Sequence, residues 1–318
     1  MIKNKKVLLT GGAGFIGTKL CALLSNNNEI LIYDNLNRNS IKNTNLLNKE
    51  NIKLVQGDVL DLSHVKSTVD EFKPNIVIHL AAVAGIDTVI KNPVMTMKVN
   101  MLGTYNVLEA LKDYKIDRFI DFSTSEVFGS YAYKVDEQHT TNLAPVGEAR
   151  WTYSVSKLAG EHLAHSYYKE YGLPVVTVRP FNIYGAGQVG EGAIHQFVIK
   201  AINNDQIQIH GDGDQIRSWC YIDDFVNGIM LCLNKKKAIG NSFNIGNPKG
   251  TITILMLAKL IKRIANSKSE IIYVPKNYVD VELRIPSIEK AKKILGFVPK
   301  YDLDEGLEKT IEWYRSAL

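Results

Sequence analysis

The sequence predicts an α/β protein, in which a doubly wound parallel sheet with helices on both faces is followed by a smaller α/β lobe. Three observations support this fold class. Short runs rich in Val, Ile and Leu alternate with longer helical patterns through the first half of the chain. A glycine-rich turn follows the first of these runs. Beyond about residue 181 the alternation loosens and glycines become frequent.

The predicted strands of the first half have the short, apolar composition of strands buried on both faces. They are Lys6–Thr10, Ile30–Tyr33, Ile52–Val55, Ile76–Leu80, Arg118–Phe122 and Val175–Arg179. The predicted helices between them are Ile16–Ser25, Leu62–Phe72, Val94–Tyr114 and Tyr153–Tyr171. In the second half we expect helices near 193–203, 223–233, 252–265 and 303–316, and strands near 207–210, 242–245 and 271–274. The pattern predicts a first domain over 1–180, to which the chain returns near 218–240, and a second lobe over 181–318.

The composition is that of an ordinary globular protein. The chain has 318 residues, 45% hydrophobic and 22% charged, which excludes a disordered, collagen-like or coiled-coil protein. Its 38 Lys and Arg exceed its 33 Asp and Glu and give a net charge of +5, but only eight of these cations are Arg. Surface lysines mostly solvate a protein, whereas Arg is suited to binding phosphate or carboxylate. The charge therefore does not predict a nucleic-acid partner, and no basic stripe with interleaved aromatics suggests one.

The cysteines and the apolar runs indicate a cytoplasmic protein. Cys21, Cys220 and Cys232 are too widely spaced for a metal site or a disulfide framework. No apolar run approaches the roughly 18 residues that a membrane span needs. The apolar stretch near the first residue is short and runs into glycines, unlike a signal peptide. We expect no metal and no membrane partner.

The glycine-rich turn predicts a dinucleotide site. The segment Thr10–Gly17 (TGGAGFIG) follows a strand and opens a helix, so that backbone amides and the helix N-terminus can approach a pyrophosphate. Asp34 ends the next strand, where a carboxylate accepts hydrogen bonds from the ribose hydroxyls of NAD and repels a 2′-phosphate. Arg38 lies just beyond and keeps NADP open as an alternative. This unit is typical of a Rossmann-like sheet.

A Tyr–Lys pair predicts proton transfer beside the cofactor. Tyr153 and Lys157 are four residues apart and therefore share one helix face. A free Tyr titrates near pH 10 and is a poor base at neutral pH. We expect the Lys157 cation, and the positive charge of the cofactor, to favour the phenolate. The pair would then exchange a proton with a substrate hydroxyl.

Further motifs extend over essentially the whole chain. They are Asp34, Gly57-Asp58-Val59, His79-Leu-Ala-Ala82, Asn100, STSEVFG at 123–129, YSVSK at 153–157, RPFNIYG at 179–185 and PSIEKAKKILG at 286–296. With the glycine turn, they make the chain resemble an extended short-chain dehydrogenase/reductase of the nucleotide-sugar epimerase, dehydratase and decarboxylase type. Two departures are small: Phe128 stands where Tyr is frequent in the family, and Ala186 stands where Pro is usual.

The resemblance implies NAD as cofactor, a nucleotide sugar as substrate, and a homodimer formed through the predicted helices 94–114 and 153–171. The implied cofactor-binding residues are Gly11, Gly14, Phe15, Ile16, Gly17, Asp34, Asn35, Asp58, Val59, Leu80, Ala81, Ala82, Asn100, Ser123, Tyr153, Lys157 and Pro180. The implied catalytic residues are Tyr153, Lys157, Thr124, Ser125 and Glu126. Asn182, Arg217 and Arg284 are the implied substrate-binding residues.

Three reactions of this family begin with oxidation of the sugar C4 hydroxyl and differ in their later steps. A 4-epimerase lets the ketone turn over and be reduced on its other face. A 4,6-dehydratase removes a C5 proton and protonates a leaving C6 hydroxyl, and it usually has Asp-Glu where this chain has Ser125-Glu126. A decarboxylase needs neither group for the bond break, because its 4-keto acid loses carbon dioxide spontaneously. Serine is a feeble acid, and Glu126 would be superfluous in a plain epimerase.

The local sequence favours decarboxylation of UDP-glucuronate. Ser-Thr-Ser-Glu at 123–126, Arg150–Lys157 and Tyr278–Ser287 resemble the UDP-glucuronate decarboxylases, both of the UDP-xylose type and of the aminoarabinose-pathway type. Dehydration and epimerisation remain alternatives, and the nucleotide, the sugar and the fate of NADH stay open. Arg150 either serves the site or forms a structural ion pair at the helix entrance. Glu126 either acts in the reaction or is a buried charge satisfied by backbone amides.

A hypothesis from a different functional class is that the chain is a non-catalytic NAD-binding regulatory protein. Degenerate relatives of this kind generally lose the Tyr or the Lys, and this chain retains both Tyr153 and Lys157. The sequence therefore favours an enzyme.

Overall fold

The computed structural model describes residues 2–143, 145–276 and 278–317. The strands are β1 (Lys6–Thr10), β2 (Glu29–Asp34), β3 (Ile52–Gln56), β4 (Ile76–His79), β5 (Arg118–Phe122), β6 (Tyr131–Val135), β7 (Val175–Pro180), β8 (Ile183–Tyr184), β9 (Ile207–His210), β10 (Ile216–Ser218), β11 (Cys220–Tyr221), β12 (Asn241–Ile245), β13 (Thr251–Thr253), β14 (Ile271–Val274) and β15 (Leu283–Pro286). The helices are α1 (Phe15–Leu24), α2 (Leu62–Phe72), α3 (Ile86–Lys91), α4 (Pro93–Met97), α5 (Thr104–Leu111), α6 (Ala149–Tyr171), α7 (Ala193–Asn203), α8 (Ile222–Asn234), α9 (Ile254–Ile264), α10 (Glu289–Leu295) and α11 (Leu303–Ala317).

Seven strands of the described chain form the main sheet, in the order β12–β7–β5–β4–β1–β2–β3. All of its neighbouring strands are parallel. The chain leaves β1 toward β2 and β3 on one side and then continues from β4 on the other side, so the winding reverses between β1 and β4. In open α/β sheets, ligands bind at the carboxyl ends of the strands beside such a reversal.

The sheet is buried on both faces because its strands are apolar at consecutive positions. Val7 and Leu9 of β1 belong to the core that α1 and α8 cover. Leu8, between them, belongs to the core on the opposite face, to which α2, α5 and α6 contribute. Successive residues of a strand point to opposite faces, so a strand apolar at every position needs a helical layer on each side. The predicted Rossmann-like doubly wound sheet is confirmed.

A second sheet of four described strands has the order β13–β10–β15–β6. Strands β10 and β15 are parallel, and Arg217 is the register partner of Arg284. Side chains of register partners leave a sheet on the same face. The two arginines, which are distant in sequence, are therefore neighbours in space.

Several predicted elements occur with the predicted bounds, among them β1, β5, β9, β14, α2 and α7. The chain was expected to return to the first domain near 218–240. Its contribution to the main sheet continues beyond that range, since β12 pairs with β7 as far as Ile245. The predicted division into domains at residue 180 stays a prediction. The short strands β10 and β15 were not predicted: β10 has only three residues, too few to show a period of two, and β15 is interrupted by Arg284 and ends in Pro286.

The predicted continuous helix Val94–Tyr114 is wrong in detail. Its middle, Lys98–Gly103, is a π-helical turn between α4 and α5, and the helix ends at Leu111. A Cβ atom at Gly103 would lie 2.6 Å from Val59 Cγ2, so this turn packs directly against the segment after β3. Single π-turns within helices are frequent at functional sites, and this one contains Asn100. In the described part of the chain no helix combines the length and apolarity that crossing a membrane requires.

Candidate active site

The glycine turn packs against the segment that follows β4. Gly11 has a φ of +70°, and a Cβ atom there would lie 2.5 Å from the backbone nitrogen of Ala81. A Cβ at Gly17 would lie 2.6 Å from Gly12 Cα, so the start of α1 rests on the turn. Gly14, the N-cap of α1, would meet only Gly11 O at 3.4 Å and faces open space. The backbone thus forms a cradle at a helix N-terminus, the arrangement that suits a pyrophosphate.

Asp34 lies beside this cradle at the end of β2. Its Oδ2 accepts a hydrogen bond from Ala13 N at 2.9 Å, and its Oδ1 accepts one from Leu36 N at 2.7 Å. Burial raises the pKa of the carboxyl group, and the two backbone bonds oppose the rise. Each oxygen retains a lone pair for a ribose hydroxyl. The Arg38 guanidinium binds the backbone after β4, since its Nη2 donates to Ala84 O at 2.6 Å.

The other predicted cofactor residues lie along the carboxyl ends of the same strands. Phe15 and Ile16 begin α1, Asn35 follows β2, Asp58 and Val59 follow β3, Leu80, Ala81 and Ala82 follow β4, Ser123 follows β5, and Pro180 ends β7. Asn100 braces the segment after β4, since its amide accepts from Val83 N at 2.7 Å and donates to Val83 O at 2.9 Å. The fold therefore gathers these residues on one edge of the sheet, where their roles in binding remain a prediction.

Tyr153 and Thr124 meet where α6 crosses the end of β5. Burial, followed by the negative charge of Glu126, raises the pKa of Tyr153 to about 12, and a hydrogen bond with Thr124 opposes this rise. The turn after β5 contributes to this rise by placing the Glu126 carboxylate near the tyrosine, in addition to the larger effect of burial. The expectation that Lys157 and the cofactor favour the phenolate stays a prediction.

Lys157 is deeply buried, and the carboxyl groups of Asp121 and Glu161 lie near its ammonium group. Burial lowers the pKa of its ammonium group, and the charges of Asp121 and Glu161 oppose that shift. Burial also raises the pKa of Asp121 to about 6. Glu161 forms a bidentate pair with Arg179, with Arg179 Nη2 donating to Glu161 Oε1 at 2.8 Å and Nε to Oε2 at 3.1 Å. The negative charges of Asp121 and Glu161 stabilise the ammonium form of Lys157.

Glu126 sits in the short 3₁₀ turn Ser125–Phe128 and is bound by arginines. Arg150 donates from Nη1 to Glu126 Oε2 at 2.6 Å and from Nη2 to Oε1 at 2.9 Å. Arg284 Nη1 lies 3.5 Å from Oε1. Burial alone would raise the pKa of Glu126, but the charges of Arg150 and Arg284 outweigh it and hold the pKa below its usual value. The carboxylate is therefore satisfied by guanidinium groups and not by backbone amides.

Arg217 and Arg284 have different surroundings. Arg217 is held by the chain, since it donates to the carbonyl oxygens of Ile216 and Val281 and lies 3.5 Å from Asp280 Oδ2. Arg284 is 3% exposed, and within the described residues its Nε and Nη2 have no hydrogen-bond partner. Asn182, with a φ of +43°, donates from its side chain to Ser218 O at 2.9 Å. It links the end of β7 to the strand that carries Arg217.

Sequence reasoning missed three charged groups of this site. Asp280 bridges Arg150 and Arg217, and Asp121 and Glu161 face Lys157. Asp121 stands inside an otherwise apolar strand, which was an available signal. Asp280 carries no such signal, because only the approach of its loop to α6 and β10 gives it partners.

Comparisons with known proteins agree with this geometry. The NAD dependent epimerase/dehydratase family matches residues 7–246. UDP-glucuronic acid decarboxylase 1 of Xenopus tropicalis is 32% identical over 99% of this chain and 73% of its own. A dTDP-D-glucose 4,6-dehydratase of Bos taurus is 35% identical over 98% and 89%. UDP-glucuronic acid 4-epimerase from Bacillus cereus, solved with UDP-glucuronic acid and NAD, superposes with a TM-score of 0.88 at 30% identity, over 98% of this chain and 100% of that one.

The chain therefore belongs to the NAD dependent epimerase/dehydratase family, the extended short-chain dehydrogenases/reductases. It is an NAD-dependent enzyme of the group that comprises nucleotide-sugar decarboxylases, dehydratases and epimerases. The glycine cradle with open space at Gly14 and the Asp34 carboxylate at its side fit NAD. Which of the three reactions the enzyme performs is not decided by similarity, because the relatives divide among all three at nearly equal identity.

Proposed function

We propose that the enzyme decarboxylates UDP-glucuronate through a 4-keto intermediate. The observation that carries the proposal is the cluster of three buried arginines, Arg150, Arg217 and Arg284, beside Tyr153. Within the described residues, Glu126 and Asp280 are the carboxylates that form ion pairs with it. Three guanidinium groups thus face two paired carboxylates, and two donors of Arg284 have no partner among the described residues. A buried guanidinium with free donors suits a substrate that carries a carboxylate in addition to its diphosphate.

The residues after β5 support decarboxylation over loss of water. Elimination needs an acid to protonate the departing C6 hydroxyl. Ser125 is a poor acid, and Glu126 is held as a carboxylate by Arg150. A 4-keto acid needs no such donor, since the carbon–carbon bond breaks once the carboxylate is suitably oriented.

The proposed roles of the chain follow from the contacts of each group. NAD supplies, when bound, the reversible oxidation at the sugar C4. Tyr153 accepts the proton of the C4 hydroxyl, with Thr124 at the same oxygen and Lys157 buried one turn along α6. In the next step the C5–C6 bond breaks and carbon dioxide leaves. The electron pair of the broken bond passes toward the C4 ketone. C5 then gains one proton from water, which balances the loss of carbon dioxide from a carboxylate.

A panel of nucleotide sugars, incubated with enzyme and NAD and followed by mass spectrometry, tests the proposal. UDP-glucuronate should lose carbon dioxide, and UDP-glucose should be unchanged or turned over far more slowly. Loss of water from a neutral sugar would identify a dehydratase. An unchanged mass with conversion to UDP-galacturonate would identify a 4-epimerase. Absorbance at the NADH maximum shows whether the reduced cofactor accumulates.

We also propose a homodimer formed through the helices around α4 and α6. Large apolar side chains are exposed along these neighbouring helices, including Val94 (68%), Met95 (48%), Leu102 (43%) and Val155 (41%). Water-exposed apolar groups clustered on one face favour association. Val94→Asp should shift the protein toward monomer in analytical ultracentrifugation. Val298→Asp, at an equally apolar and 54% exposed position elsewhere, is the matched control.

A cytoplasmic location is part of the proposal. Cys21, Cys220 and Cys232 are free and buried. Free thiols of this kind are usual in reducing compartments. Fractionation of the source cells, followed by detection with an antibody, tests this point.

A further inference from the structure

Arg150 binds both oxygens of Glu126 from the first turn of α6. The two donor–acceptor distances are 2.6 and 2.9 Å, in the parallel arrangement of a bidentate guanidinium–carboxylate pair. Ser154, on the next turn, donates to Glu126 Oε2 at 3.4 Å. Arg150 is 5% exposed, so the pair is shielded from water. Removing one partner of such a pair is strongly unfavourable, because it leaves an uncompensated buried charge.

The groups that face Glu126 come from four elements. They are Arg150 and Tyr153 on α6, Arg284 on β15, Arg217 on β10, and Asp280 in the loop before β15. Arg284 Nη1 is 3.5 Å from Glu126 Oε1, and Arg150 Nη2 is 3.8 Å from Asp280 Oδ1. Among the described residues, Arg150 alone donates to both oxygens of Glu126. Arg150 is therefore the group on which the geometry of this carboxylate depends.

We propose that Arg150 is a positioning residue that keeps Glu126 ionised beside Tyr153 and so prevents it from donating a proton to a leaving hydroxyl. The inference rests on the proposed function only in requiring a 4-keto intermediate. A carboxylate held in this way can accept a hydrogen bond from the sugar, but it has no proton to give. The arginine thereby removes Glu126 as the acid of a water elimination after C4 oxidation.

Removing the guanidinium has a definite consequence. In Arg150→Met, Glu126 stays in a buried site with the single, longer Arg284 contact. Loss of an adjacent opposite charge raises a carboxyl pKa by about 1–3 units. Protonation of Glu126 would then begin at a higher pH than in wild type, and kcat/KM would fall more steeply toward low pH because a protonated Glu126 no longer accepts the hydrogen bond of the sugar.

The test compares profiles of kcat/KM between about pH 5 and pH 9 for wild type, Arg150→Met, Glu126→Gln and the double variant. The substrate is whichever nucleotide sugar the wild type converts. We expect a steeper fall of kcat/KM toward low pH in Arg150→Met than in wild type, and the loss of this difference in the double variant. Arg263→Met, which removes an arginine that is 71% exposed, should leave the profile unchanged. A profile that merely scales down at every pH in Arg150→Met would overturn the proposal and leave a structural ion pair.

If Arg150→Met does not fold, Arg150→Lys keeps the charge but loses the second donor, and a smaller shift of the same sign is expected. A carbon-13 titration of the Glu126 carboxyl, assigned with Glu126→Gln, reads its protonation directly; an unchanged titration in Arg150→Lys contradicts the proposal. The two hypotheses fail separately. Epimerisation by the wild type would remove the decarboxylase and leave the Arg150 test intact. A carbon-13 titration that shows Glu126 protonated near neutral pH in the wild type, with Arg150 present, would overturn the role of Arg150.

Discussion

Arg217 and Arg284 are register partners on the adjacent parallel strands β10 and β15, and both face the carboxylates of Glu126 and Asp280. Their surroundings differ in one respect that matters for binding. The chain's own carbonyl oxygens occupy Arg217, whereas two donors of Arg284 have no partner among the described residues. On this asymmetry we propose that Arg217 is mainly structural and that Arg284 binds the anionic substrate.

The first prediction concerns these two arginines. Arg284→Met should raise KM for the nucleotide sugar by roughly 10- to 150-fold, the value of a charge-assisted hydrogen bond of about 1.5–3 kcal/mol. Arg217→Met should chiefly lower the melting temperature, because it removes bonds to Ile216 and Val281. Initial rates and thermal unfolding measure the two effects. Equal KM values for wild type and Arg284→Met would contradict the assignment.

The second prediction concerns Tyr153. Tyr153→Phe should lower kcat by about 10²- to 10⁴-fold, the usual contribution of a general base, and leave NAD binding intact because only a hydroxyl is removed. Since the pKa of Tyr153 is raised to about 12 in the chain itself, the phenolate fraction grows with pH throughout the neutral range. Log kcat/KM should therefore rise from pH 6 to pH 9 in wild type. A flat wild-type profile would argue against Tyr153 as the base.

The third prediction concerns cofactor choice. Asp34→Ala should weaken NAD binding by roughly 10- to 150-fold, because a charged acceptor of hydrogen bonds is lost. NADP should bind the wild type poorly, since Asp34 repels a 2′-phosphate and Arg38 is engaged with Ala84. Isothermal titration calorimetry with both cofactors measures this. Asp212→Ala, at an exposed aspartate of the second half, is the control; comparable wild-type affinities for NAD and NADP would refute the prediction.

The fourth prediction concerns stability and pH. The folded pKa of Asp121 is raised to about 6, above the value of about 3.9 in an unfolded chain. The folded state therefore binds more protons between these values, and its stability decreases as pH rises through that window. Asp121→Asn should remove up to about 3 kcal/mol of this dependence. Urea unfolding at closely spaced pH values measures it, with Asp212→Asn as control. Parallel curves for wild type and Asp121→Asn would show the prediction to be wrong.

Much of the fold was predictable because its signals are local. Consecutive apolar residues in β1, β4 and β7 indicate strands buried on both faces, and the glycine turn after β1 indicates a helix N-terminus open to a ligand. The π-turn at Lys98–Gly103, where Gly103 packs against Val59, was not predicted.

The sequence by itself determined the class of sheet, the glycine cradle, Asp34, and the spacing that places Tyr153 and Lys157 on one helix face. Each depends on residues that are near in sequence, where backbone geometry alone fixes direction. Only the tertiary structure decided that Arg150 binds Glu126 and that Arg217 lies beside Arg284. These pairs join distant segments, so strand register and helix packing choose the partners. In a buried site that choice also sets which groups are charged, because each ion there requires a counter-charge within reach.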